Sequence, residues 1–203
     1  MKKKFILGKK IGMTHLITDE GLSIPVTVLT VDANLVIDVS KVSEDDHCVV
    51  LGVGTPRSLN KPMTGFYAKR NIAPKRFLKG FRTSSQYLPC EIGSSVDVSI
   101  FFVGDKVSVR GKTIGRGFTG TIKRHNFSRG PMSHGSKSHR IPGSIGAGTT
   151  PGRVFKGTRM SGHYGDSMVT VKNLRVEKVD SDKGLLFLRG AVPGKSGMVE
   201  IFM

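Results

Sequence analysis

The chain has 203 residues, with 32 Lys/Arg against 15 Asp/Glu, a formal charge of +17 and 37% apolar residues. That length suits one domain or two small ones, and the charge calls for an acidic partner. The start, Met1-Lys2-Lys3-Lys4-Phe5-Ile6-Leu7-Gly8-Lys9-Lys10, is too poor in apolar residues for a signal peptide, and no window reaches the ~18 apolar residues of a membrane span, so a soluble, cytoplasmic protein is expected.

The first fifty residues read as β. Leu22 to Val31 alternates with period two, and Pro25 within it indicates an edge position or a bulge. Asn34 to Val39 and His47 to Val53 are further β-branched runs, separated by the acidic turn Glu44-Asp45-Asp46. Arg57 to Arg82 carries eight Lys/Arg and no acid, and its Lys61-Pro62 start is expected to open a short helix over Met63 to Arg70. β character returns at Ser95 to Val103 and at Lys106 to Arg110, joined by the turn Gly104-Asp105. Met168 to Val179 reads as a strand pair, Asp180 to Gly184 as a turn, Leu185 to Leu188 as a buried strand and Met198 to Phe202 as a last short one. Short strands between Gly/Asp turns, with no helix beyond about three turns, predict a mainly β protein built on a small β-barrel. The expected domain covers 1–105 and 166–203, with a basic insertion near 57–82 and a long basic, glycine-rich extension loop over 106–165.

That extension dominates the functional reading. Its sixty residues hold twelve Lys/Arg, four of the six histidines, thirteen of the 26 glycines and no Asp or Glu. Apolar residues are too sparse to offset the entropy of ordering it, so it needs a polyanion to fold against, and nucleic acid fits best. Over 111–127, glycines let backbone N–H groups approach phosphates while Lys112, Arg116, Lys123 and Arg124 supply charge. Phe118, His125 and Phe127 are candidates to stack on bases or to pin the loop. Arg129, His134, Lys137, His139 and Arg140 continue the basic run, and Arg153, Lys156 and Arg159 follow the uncharged stretch Ser144, Ile145, Gly146, Ala147, Gly148, Thr149, Thr150.

Catalytic chemistry finds no support. The segment holds no carboxylate to pair with its histidines or serines, so no catalytic residue is expected. His134 and His139 fit no metal-ligand spacing, and Cys48 and Cys90, 42 positions apart, form no ligand pair and are expected to be reduced thiols. Gly194-Lys195-Ser196 is misplaced for a phosphate loop, with too little chain after it for the required helix. No metal, cofactor or small-molecule substrate is expected.

Three stretches, 115–127, 134–146 and 150–162, closely resemble the L-three family of bacterial large-subunit ribosomal proteins, as do Gly8 to Thr14, Ser23 to Val28 and Arg189 to Gly194. The resemblance covers essentially the whole chain. It implies a translation-factor-like barrel that binds large-subunit ribosomal RNA near its 3′ end, nucleates subunit assembly and touches neighbouring ribosomal proteins. It also implies a loop whose tip, Ser144 to Thr150, extends toward the peptidyl transferase centre. Outside the loop, the expected RNA contacts are Lys9, Lys10, Arg57, Lys61, Lys69 and Arg70. Two positions depart from the family pattern: His125 stands where many relatives carry tryptophan, and Thr149 where some carry a methylated glutamine. Residue chemistry alone leaves a free RNA-binding assembly factor open beside the ribosomal constituent, and disfavours a nucleic-acid enzyme.

Overall fold

The computed structural model describes residues 4–43, 46–84 and 91–203. Four strands open the chain: β1 (Phe5–Ile17), β2 (Ser23–Thr30), β3 (Asn34–Lys41) and β4 (Asp46–Val53). Helix α1 (Lys61–Ala68), β5 (Phe77–Ser84), β6 (Ser95–Val96), a 3₁₀ turn (Val98–Ile100) and β7 (Lys106–Lys112) follow. Then come β8 (Phe118–Thr119), α2 (Thr121–His125), β9 (Gly162–His163), β10 (Met168–Asp180), β11 (Leu185–Arg189) and β12 (Met198–Phe202). Two compact units result, one of Met1–Lys112 with Met168–Met203 and a second of Thr113–Ser167.

In the first unit six antiparallel strands close into a barrel in the order β1-β12-β7-β10-β11-β2. Alternation places Val107, Val109, Leu186, Leu188, Val199 and Ile201 inside, each 3% exposed or less. Irregularities bend the strands to make closure possible: β1 shifts register between Lys10 and Gly12, and β10 between Val171 and Leu174, where Asn173 takes φ 59°. A second sheet, β5-β4-β3-β6, shares this core. Phe5 of β1 stacks on Phe81 of β5 with centroids 4.1 Å apart. The Glu200 carboxylate of β12, 8% exposed, meets Lys79 Nζ of β5 at 2.9 Å.

Asn34 solves a local pairing problem. β2 pairs with β1 only from Lys9 onward, leaving the Leu7 peptide without a strand on that side. The fully buried Asn34 amide takes the strand's place: Oδ1 accepts from Leu7 N at 2.9 Å and Nδ2 donates to Leu7 O at 3.0 Å.

Pro25 sits where pairing of β2 with β11 ends, so its missing N–H costs no ladder bond on that side. The helix starts two residues before its expected position, with proline in its first turn as anticipated. Two expectations are corrected. Ser95 to Val103 is a strand only over Ser95–Val96, because the 3₁₀ turn follows and the Asp105 carboxylate then accepts from Phe102 N at 3.0 Å to form a tight turn. Met168 to Val179 lies within a single bent strand, not a pair: β10 serves β7 with its first half and β11 with its second. The β7 segment 106–112, expected to begin the extension, pairs with β10 and β12 and belongs to the barrel unit. Cys90 and the expected turn residues Glu44 and Asp45 lie outside the described residues, while Cys48 is a half-buried free thiol.

Candidate nucleic-acid interface

The second unit, Thr113–Ser167, is ordered by its backbone rather than by a core. Among the described residues, no buried apolar side chain falls within it; its buried residues are Thr119 and Thr121. Its two ends run side by side, with Thr113 N donating to Ser167 O at 2.9 Å and Arg116 N to Tyr164 O at 2.8 Å, and β8 pairs with β9. Gly165 is required there, since a Cβ would collide with Ile114 O. The short α2 carries Lys123, Arg124 and His125 in its last turn, where cations complement the helix dipole, and Asn126 ends it at φ 58°. Beyond it, Gly130 N donates to His139 O at 3.0 Å and pinches off the 130–139 loop.

Most expected RNA-facing cations are free to meet a partner. Arg116, Lys123, Arg129, Lys137, Arg140, Arg153, Lys156 and Arg159 are exposed, as is His134. In the first unit, Lys9, Arg57, Lys61 and Lys69 are exposed too, whereas Lys112 is exposed but already has a partner within the chain. The stretch 144–152 is exposed throughout and turns through Gly148 at φ 90° and Gly152 at φ 69°.

Several expected contacts are instead committed to the fold. Lys10 is 9% exposed, and its ammonium donates to Val192 O at 2.7 Å and Gly194 O at 2.9 Å. Two of the three donors of its ammonium are thus taken up within the barrel unit. Arg70 pairs with Asp38 at 2.9 Å and lies over the Phe66 ring at 4.0 Å. Arg124 Nη1 donates to Met160 O at 2.6 Å, and His125 Nε2 lies 3.0 Å from the same oxygen, so that nitrogen carries the proton. His139 Nδ1 likewise donates to Pro131 O at 2.9 Å. The half-buried Phe127 ring lies tilted beside His125, whereas Phe118 is 73% exposed. Two residues beside Phe118 escaped the sequence reading: His163, across the ribbon, and Tyr164, under the Arg116 guanidinium. Their adjacency follows from β8–β9 pairing over more than forty residues, which local pattern does not reveal.

Residues 91–196 match the family model for Ribosomal protein L3. The chain is 48% identical to the large ribosomal subunit protein uL3 of Nostoc sp. over 95% of its length and 92% of that protein's. The chain belongs to the L3 family of ribosomal proteins. Another L3 relative, from Pelotomaculum thermopropionicum, is 48% identical over 98% of this chain and 95% of its own. The large ribosomal subunit protein uL3c of Phaeodactylum tricornutum is 45% identical over 95% and 94%. L3 proteins are ribosomal components and not enzymes. Among the described residues of this L3 chain, no group of three His, Cys, Asp or Glu is placed to hold a metal ion.

Proposed function

We propose that this chain is a structural constituent of the large ribosomal subunit, that it binds ribosomal RNA near the 3′ end of the large-subunit rRNA, and that it nucleates subunit assembly there. The observation that carries the reading is the second unit: 55 residues with a defined path, nine Lys/Arg, one acid and no buried apolar side chain. Such a segment lacks the burial that holds a domain together, and phosphate contacts supply what is missing. The barrel anchors it, with neighbouring ribosomal proteins as its other contacts. The exposed, uncharged stretch Ser144 to Thr150 is the tip that extends toward the peptidyl transferase centre. The setting is the ribosome of the cytoplasm.

Hydrogen exchange on the free chain and on its complex with a 3′-terminal fragment of large-subunit rRNA tests this reading. Amides of 140–159, beyond the hydrogen-bonded base of the second unit, should exchange rapidly when free and become protected by about tenfold or more on binding, while the barrel stays protected in both. A stretch 140–159 already protected without RNA, or unchanged by it, would overturn the proposal.

A further inference from the structure

Phe118, at 73% exposed, is the least covered large apolar residue of the second unit. It lies on a braced ribbon, where loop mobility does not explain its exposure. Its register partner on β9 is His163, whose ring meets it in a T-shaped contact with centroids 6.1 Å apart and planes at 80°. On one side of this pair, Arg116 N donates to Tyr164 O at 2.8 Å and Tyr164 N to Gly117 O at 3.0 Å. The Arg116 guanidinium lies 5.3 Å from the Tyr164 ring centroid. On the other side the backbone is fixed through the buried Thr119, whose hydroxyl donates to Gly117 O at 3.2 Å. Among the described residues, the Phe118 ring has no aromatic neighbour except His163, so most of its surface meets no partner within the chain.

We infer that this ribbon is a platform for one unpaired nucleobase, stacked on Phe118, with Arg116 beside it to meet the attached phosphate. A flat apolar ring on a hydrogen-bonded ribbon, two residues from Arg116, loses little entropy on stacking. Bases inside an A-form duplex already stack on each other and expose no ring face to a side chain, so the ligand is a nucleotide in a loop, bulge or strand end. A protein partner is disfavoured by the composition of the second unit, nine Lys/Arg against one acid, which matches phosphate. His125 and Phe127 are not alternatives, since the first is tied to Met160 O and the second is half-buried beside it. The proposal rests on the ribosomal RNA reading above and adds which element reads a base rather than a phosphate.

The chain contains no tryptophan, so Phe118→Trp installs a single indole reporter on the platform. The probe is a full-length large-subunit rRNA transcript, with complex formation followed independently by gel shift. Phe118→Trp should form the complex, its emission falling in step with the gel shift. Phe102→Trp, at a 66% exposed position of the first unit, should show no such loss. Phe118→Leu should weaken binding about tenfold with an unchanged salt slope, because no charge is altered. A gel shift without quenching, or a leucine variant that binds normally, overturns the platform and leaves the RNA reading intact. Absence of any gel shift for the unmodified chain overturns both.

Discussion

The Lys10 ammonium ties β1 to the 190–197 segment through Val192 O and Gly194 O. Charge-assisted bonds at a buried site contribute about 1.5–3 kcal/mol each, so Lys10→Met should lower unfolding stability by a few kcal/mol in urea titrations. Its RNA affinity, measured on the folded fraction, should keep an unchanged salt slope, because no phosphate contact is lost. The adjacent and exposed Lys9 gives the contrast: Lys9→Ala should leave stability within about 0.5 kcal/mol. Asn34 is as exacting. Asn34→Ala strands the Leu7 N–H and C=O in a fully buried site, at about 1–3 kcal/mol for each group. Asn34→Asp should be worse, since it cannot donate to Leu7 O and places a charge where there is no water. Thermal melts of the two variants should rank alanine above aspartate; the reverse order would refute this account of Asn34.

β7 and β10 are neighbours in the barrel, and Lys112 and Met168 are register partners, so the second unit leaves and re-enters between two paired residues. Joining Lys112 to Met168 through a two-residue Asn-Gly turn should therefore give a chain that still unfolds cooperatively. If about half of the nine cations removed neutralise phosphates, the salt slope of RNA binding should flatten by roughly 3 to 4, taking ~0.7–0.9 per contact. An undiminished slope would assign the electrostatics to the barrel unit. This insertion was legible from sequence because a sixty-residue run without acid is a compositional signal. Strand β2 was legible by alternation, β4 by its β-branched run, and β11 and β12 as short apolar runs after turns. The bend of β10 was not, because an αL asparagine inside a strand, Asn173, leaves the alternation on either side intact. Which cations stay free was equally hidden. Lys9 and Lys10 are neighbours in sequence with opposite fates, and only the path of residues 192–194 decides between them.

At the scale of the whole molecule, the proposed function gives the cations and the uncharged tip separable duties. Arg140 and Arg153 flank the 144–150 stretch and are exposed. Arg140→Glu with Arg153→Glu turns two attractive charges toward phosphate into repulsive ones, and subunit profiles on sucrose gradients should show an assembly defect first. Ala147→Arg adds bulk at the tip without the strain that a side chain would meet at Gly148, where φ is 90°. It should assemble nearly normally and slow peptidyl transfer. Equal assembly defects in the two variants would make the tip ordinary scaffold. The ring order β1-β12-β7 also governs the order of events in biosynthesis. Phe5 to Lys9 must wait for Met198 to Phe202 before they gain their β12 neighbour, so the barrel cannot close until almost two hundred residues have been translated. Such distant pairing makes the conformational search slow. Residues 113–167 are synthesised before β10, β11 and β12, so this cationic stretch of the nascent chain becomes available to RNA before its own anchor exists.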